Sequence, residues 1–526
     1  MTVTGSQLPA DDAHVDVLVV GAGFAGLGIA RHLLHDHPQR TWAIVEARES
    51  LGGTWDLFRY PGVRSDSDLY TFGYAFRPWR GDSIATAPAI LDYLRAMAAE
   101  EGIESRIRYR HRVRRASWDT RTGLWTVEIH DAGADRDVRL TCRWLVAAAG
   151  YFDHDRGHQP AIPGLDRFVE AGGTVVHPQH WPETLDHAGR RVVIIGSGAT
   201  AVTLAPALAR TAEVVVLQRS PSYVISAPTV DKVAVALQRV LPADAAHRVI
   251  RAKNIRLQRL SWSFLRRFPG AGRRLLLRFA SKRLPKGYPV GVHFAPDYDP
   301  WDERLCAAPD GDFFAAISSG SVRMVTDRIA ELDAEGIRLE SGDHLRADLV
   351  VTATGLEVRI LGGIELVVDG VAVDLHDTVT YRGMMLSGVP NLTYVFGYLY
   401  SSWTLKVELV AEQLAAILRH LDATGADSCT PVLDDPDMPR RPMLDMKSGY
   451  VRRATDRLPQ QGDRYPWLTR TQYDDDVRLV RGAPAVDPHL RFARGMVASA
   501  AGAPEPAVRT PGRAPRHQHG RSARAR

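Results

Sequence analysis

The chain is 526 residues long, 45% apolar, 24% charged and 8% aromatic, a composition that fits a folded protein with two or three cores and excludes a disordered chain or a small disulfide scaffold. The net charge of +5 is confined to the end: residues 501–526 hold six Arg and one acid, Glu505, so residues 1–500 are formally neutral and the basic balance argues for no nucleic-acid partner. Cys142, Cys306 and Cys429 lie far apart, with no CxxC and no metal-ligand spacing, which points to a reducing cytoplasm and no metal site.

In chain order, the polar and acidic residues 1–14 read as neither a signal peptide nor a transit peptide. Residues 15–20 (VDVLVV) form a near-continuous apolar run bounded by glycine, the pattern of a buried parallel strand. A glycine turn, an apolar helix over 24–34 and a second strand over 41–46 complete a βαβ unit. Residues 118–142 read as antiparallel β, with a hairpin at the TRTG turn. The βαβ pattern then returns 175 residues after the first: strand 192–195, helix 199–208, strand 214–218. Residues 232–286 carry 15 Lys or Arg against one acid, Asp244, among apolar residues at helical spacing, which predicts two or three basic amphipathic helices. Another buried strand is expected over 345–353, and an amphipathic helix over 404–420 with Thr404 as its cap. The Ala, Gly, Pro and Arg-rich end is expected to be disordered. No 18-residue uncharged apolar run predicts a membrane-crossing helix.

The fold class is therefore α/β, with two Rossmann-like, three-layer dinucleotide-binding domains and a helical insertion in the second. The expected division is 1–155 as the first part of an FAD-binding domain, 156–344 as an NADPH-binding domain with its basic insertion at about 231–290, 345–500 as the second part of the FAD domain with a C-terminal extension, and 501–526 as a disordered tail.

Gly21-Ala22-Gly23-Phe24-Ala25-Gly26 is a GxGxxG turn between strand and helix. Glycines there let a pyrophosphate approach the helix N-terminal amides and their positive dipole end. Glu46 ends the next strand, 20 residues after Gly26, where a carboxylate accepts ribose hydroxyls and repels a 2′-phosphate. This copy should hold FAD or NAD. Gly196-Ser197-Gly198-Ala199-Thr200-Ala201 is the second fingerprint, and its following strand ends in Arg219 and Ser220 rather than an acid. A guanidinium and a hydroxyl there suit a 2′-phosphate, hence NADPH. Two such folds suggest a flavin enzyme that takes hydride from a nicotinamide.

Gly53-Thr54-Trp55, Tyr60-Pro61-Gly62 and Asp66 fit the spacing GxWxxxx[FY]PGxxxD, and His177 to Pro182 give HxxxWP before the second fingerprint. In these motifs the chain resembles the type I Baeyer–Villiger monooxygenases over about residues 14–495. The resemblance implies that NADPH reduces FAD, that O2 is captured as a C4a-peroxyflavin, and that this oxidises ketones to esters or lactones and oxygenates thioethers and thioamides at sulfur. It places the cation that steadies the peroxide at Arg304 and its orienting carboxylate at Asp66. Tyr70 and Val113 complete the expected cofactor contacts. The family pattern FxGxxxHxxxW[PD] is met at Gly173, His177 and Trp181, but Ala171 stands where Phe is expected, so the aromatic role is expected to pass to Phe168. His177 and Trp181 are expected to couple the domains. An N- or S-oxygenating flavin monooxygenase is the nearest alternative, although such enzymes usually carry HxxxF or HxxxY. More remote are an NADPH-dependent flavin reductase of a protein partner and a membrane-bound redox sensor. A disulfide reductase lacks its cysteine pair here. Arg266, Arg267, Arg273 and Arg274, with Trp262, Phe264, Leu265 and Phe279, suit peripheral contact with an anionic bilayer, or else form a solvated face.

Overall fold

The computed structural model describes residues 13–303, 305–444, 446 and 448–494. The expected disordered tail at 501–526 and the expected catalytic Arg304 lie outside the described residues.

Residues His14–Val20 form β1, buried at nearly every position, and the chain turns through Gly21–Gly23 into α1 (Phe24–Asp36) and then β2 (Trp42–Val45). Two short helices, α2 (Thr54–Leu57) and α3 (Leu69–Phe72), carry the loop that follows. Strands β3 (Ile107–Arg108), β4 (His111–Asp119), β5 (Leu124–Asp131) and β6 (Arg136–Ala147) come next. β6 pairs antiparallel with β5 through its first half and parallel with β1 through its second, joining the expected hairpin to the parallel sheet.

The second sheet is wholly parallel. It contains β7 (Thr174–Val176), β8 (Arg191–Ile195), β9 (Glu213–Gln218), β10 (Val322–Thr326) and β11 (Leu349–Thr352), in the order β10-β9-β8-β11-β7. Helix α4 (Ala199–Leu208) follows β8. The insertion is three helices, α5 (Lys232–Val240), α6 (Ala243–Arg267) and α7 (Pro269–Ser281). The chain then returns: β12 (Glu365–Val368) pairs with β4, β13 (Val371–Ala372) pairs with β12, and β14 (Leu392–Tyr394) pairs with β6. Helix α8 (Leu405–Thr424) packs on α1, and α9 (Tyr473–Gly482) packs on α8.

Two expectations change. β11 pairs with β8 and β7, so it belongs to the second sheet, and the chain crosses back after it rather than at residue 345. Its four residues are buried on both faces, as suits a strand between two parallel neighbours. Thr404 does not cap α8 with its side chain; its hydroxyl donates to the carbonyl of Phe72.

The two crossings run side by side. Phe152–Gly157 on the way out pairs antiparallel with Leu356–Val358 on the way back. The domains are thus joined by a two-stranded ribbon.

Candidate functional site

The first glycine turn is dictated by sterics. Gly21 has φ +103, and a Cβ on Gly26 would stand 1.8 Å from the Gly21 carbonyl oxygen, so the turn and α1 pack backbone to backbone. Gly53, at φ +56, faces Gly23: a Cβ on Gly53 would come 3.2 Å from the Gly23 Cα. The Gly52 N–H donates to the Ala22 carbonyl at 3.0 Å, pinning the second loop onto the first. A buried Glu46 completes the frame. One of its carboxylate oxygens accepts from the Ala22 N–H at 2.7 Å and the other from the Arg48 N–H at 2.9 Å. Burial pushes the Glu46 carboxyl up, while these two N–H donors work the other way.

This frame opens into a cavity of about 1100 Å³. Gly21, Gly23, Ala25, Glu46, Gly53, Thr54, Trp55 and Val113 line it at the first domain, and Ala199 and Thr200 at the N-terminus of α4 line it at the second. Asp66, exposed, lines it between the two. Trp301 and Leu305, flanking the Arg304 position, also line it. The cavity therefore brings the first turn, Asp66 and the first two residues of α4 onto one surface, while Gly26, Gly196, Ser197, Gly198, Ala201, Arg219 and Ser220 do not line it.

The YPG segment holds the domains in this arrangement. A Cβ on Gly62 would lie 2.9 Å from Ala207 Cβ and 3.2 Å from the Thr203 carbonyl, so this loop of the first domain rests directly on α4. Tyr60 is buried in the core of the second domain. Burial pushes its phenol up to about 12, opposed by a hydrogen bond with Thr200. Arg64 reaches across to Asp312, at 2.7 and 3.3 Å.

The second turn repeats the first with different polar groups. Gly196 has φ +132, and a Cβ there would be 2.3 Å from the Ala353 carbonyl oxygen; beside Gly198 the space is open. The Ser197 hydroxyl donates to the Ser220 carbonyl at 3.0 Å, which draws the turn and the end of β9 together. Arg219 is exposed there, and its charge opposes the rise that burial, Asp297 and Asp302 give the Glu303 carboxyl. Ala201 is buried within α4 and serves packing. Open backbone at a helix start, with a free-facing guanidinium, suits a phosphorylated nucleotide.

The fingerprint residues sit at the hinge and do not line the cavity. A Cβ on Gly173 would strike the Phe168 ring at 2.5 Å, so Phe168 fills the aromatic role expected of it. His177 accepts from the Gln179 N–H at Nδ1 (3.2 Å), so its Nε2–H donates to the Gly355 carbonyl (3.1 Å). Its ring covers Gly157, where a Cβ would meet it at 2.0 Å. His177 thus ties both strands of the ribbon to the entrance of the second domain. Burial pulls its pKa down. Trp181 is buried in the second domain's core and does not line the cavity.

Tyr70 is a correction. It is buried, its hydroxyl donates to the Gly81 carbonyl at 3.1 Å, and it does not line the cavity, because α3 turns that face into the core. The sequence reading also missed residues that do line it. The segment Tyr398 to Trp403 forms one wall, and Lys253, Asn254 and Gln258 of α6 form another. Trp301 Nε1, Ser402 Oγ and Trp403 Nε1 are buried there without a hydrogen-bond partner among the described residues, as expected of groups that meet a ligand. The cluster of aromatics in YLYSSW was the only signal for that wall.

A chain with two dinucleotide turns, whose first turn and second-domain helix start meet at one cavity, is a flavin-dependent pyridine-nucleotide oxidoreductase. The profile of the pyridine nucleotide-disulphide oxidoreductase family matches residues 15–244. The FAD-containing monooxygenase EthA of Mycobacterium tuberculosis is 46% identical over 484 residues, 91% of this chain and 98% of that protein. The putative FAD-containing monooxygenase MymA of the same species is 44% identical over 488 residues, 91% of this chain and 98% of that one. The chain belongs to this family of FAD-containing monooxygenases, with FAD and NADP as cofactors. Its fold is shared with a steroid monooxygenase solved with NADP (TM-score 0.72, 24% identity, 92% of this chain and 100% of that one). It is shared equally with an open cyclohexanone monooxygenase (TM-score 0.72, 19% identity, 91% and 99%).

Proposed function

We propose that the enzyme carries out Baeyer–Villiger oxidation of ketones to esters or lactones, and oxygenates thioethers and thioamides at sulfur, in the cytoplasm. The observation that supports this reading is Asp66 on the wall of a cavity lined by the first dinucleotide turn and by the start of α4, with Trp301 and Leu305 lining the same space. Bound FAD, reduced by NADPH, supplies the electrons that activate O2, one atom of which enters the substrate while the other leaves as water. The residues do the rest. Gly21, Gly23 and Gly53 receive the flavin nucleotide's pyrophosphate, and Glu46 fixes the loop and faces the ribose. Ser197, Gly198, Arg219 and Ser220 hold the nicotinamide nucleotide, with Arg219 on the 2′-phosphate. Arg304 provides a cation that cannot surrender its proton to an adjacent anion, as arginine does better than lysine. Asp66 orients it. The aromatic wall of Trp55, Trp301 and Trp403 keeps water from the reacting centre.

The test supplies purified enzyme with NADPH, O2 and a water-soluble aryl ketone. Ester should form in step with NADPH consumed. Arg304→Ala should still reduce flavin but make ester on the order of 10²–10³ more slowly, the usual cost of one preorganised charge. Hydrogen peroxide as the only oxygen product, with neither ester nor sulfoxide from any substrate, defeats the reading. Sulfoxide without ester favours the N- or S-oxygenating alternative.

A further inference from the structure

The three insertion helices bury one face and leave the other bare. Toward the protein, Arg251 donates to the carbonyls of Tyr70, Thr71 and Gly73 and pairs with Glu408, while Asn254 and Gln258 donate to Asp68. Toward solvent the pattern changes. Of the thirteen exposed large apolar side chains among the described residues, eleven fall between Val230 and Val292. On α6, Val249, Leu260 and Phe264 share a face with Arg256 and Arg267 at helical spacing; on α7, Leu275 and Phe279 alternate with Arg274, Arg278 and Lys282. Leu260 is 66% exposed. These five bases have no ion-pair partner among the described residues, in contrast to Arg259 and Arg266, which pair with Asp475 and Asp302.

A merely solvated face has no use for exposed phenylalanine and leucine at every turn. The core of a protein interface would hold fewer uncompensated cations. Unpaired guanidinium groups interleaved with apolar side chains match one surface: anionic headgroups above an acyl boundary. The cavity opens here too. Val230, Val233 and Leu257 both line it and are exposed, and Leu257 shares a helical turn with Arg256 and Leu260.

We propose that the outer face of α5–α7 docks on an anionic lipid surface and turns the cavity mouth toward it, so that apolar substrates pass from the bilayer to the reacting centre. Docking stands on this surface alone; the delivery of substrate rests on the monooxygenase reading. No helix among the described residues is long and apolar enough to cross a membrane, so the contact is peripheral.

The flavin-loaded enzyme is sedimented with vesicles of phosphatidylcholine, with and without phosphatidylglycerol. It should pellet with the anionic vesicles, at least about fivefold less with phosphatidylcholine alone, and progressively less as salt rises. The double variants Leu260→Ser/Phe264→Ser and Arg274→Gln/Arg278→Gln should each lose about tenfold in binding. Both should keep their flavin content and their turnover of a water-soluble ketone. Failure to pellet with anionic vesicles, equal pelleting with both compositions, or undiminished binding by both variants overturns the proposal. So does a dimer in solution that the Leu260→Ser/Phe264→Ser change disperses, since the face would then belong to a second copy. Vesicle binding without ketone turnover would leave docking standing and remove only the proposed reaction.

Discussion

At the end of β9, Arg219 is exposed where the corresponding strand of the first domain ends in the buried carboxylate Glu46. The two sites therefore differ in the sign of the charge offered to a ribose. A guanidinium–phosphate contact is a charge-assisted hydrogen bond, worth about 1.5–3 kcal/mol. Arg219→Ala should accordingly raise KM for NADPH by roughly 10- to 100-fold and change KM for NADH by less than about twofold. Steady-state kinetics with each nucleotide check this, and equal changes would remove the 2′-phosphate assignment. Residues whose role is set by their own backbone were legible in the sequence: Gly21, Gly26 and Gly196 each occupy a position where a Cβ would meet a carbonyl oxygen at 2.7 Å or less. Phe168 was legible only as the phenylalanine nearest the family position that Ala171 fills; its packing on Gly173, where a Cβ would meet the ring at 2.5 Å, comes from the fold. Tyr70 was not, since the direction of its phenol is decided by how α3 packs and by the Gly81 carbonyl that receives its hydroxyl.

Among the elements, the basic helices were legible as helices but not in where they dock. Fifteen cations in one stretch look alike in sequence, yet Arg251 alone is buried with its guanidinium on three carbonyls and a carboxylate. Through it, an insertion in the second domain closes over α3 and α8 of the first. Both members of the Arg251–Glu408 pair are nearly inaccessible, at 8% and 9% of their side-chain surface. Removing one partner strands the other's charge away from water, and Arg251→Ala should lower the unfolding free energy by about 3–5 kcal/mol. Restoring neutrality with Arg251→Met and Glu408→Gln together should recover part of that loss. Denaturant unfolding of the three proteins checks both statements; a loss under about 1 kcal/mol for the single change would mean that the pair is solvated.

On the scale of the molecule, the two domains communicate through a ribbon, a loop and a lid. The ribbon carries His154 and is clasped by His177; the loop sets Gly62 on α4; the lid is α6. Both histidines are held neutral. Burial, aided by Arg48 and Arg112 and opposed by Asp155 and Asp153, pulls His154 down to about 4. Burial also lowers His177, opposed by its bond to the Gly355 carbonyl. A proton on His177 would abolish the acceptor that holds the Gln179 N–H. For both groups the unfolded chain, titrating at about 6.5, binds the proton more readily than the folded one. Their contribution to stability is thus complete above that pH and is lost as pH falls toward the folded values. The holoenzyme should therefore melt at progressively lower temperature from pH 6.5 to pH 5, a window above most carboxylates. His154→Gln and His177→Gln, which cannot titrate, should each flatten that slope whatever they do to the melting temperature at pH 7.5. Thermal melts across the window decide it: if both variants retain the parent's full slope, the acid sensitivity arises elsewhere and the ribbon is not the joint that a proton loosens.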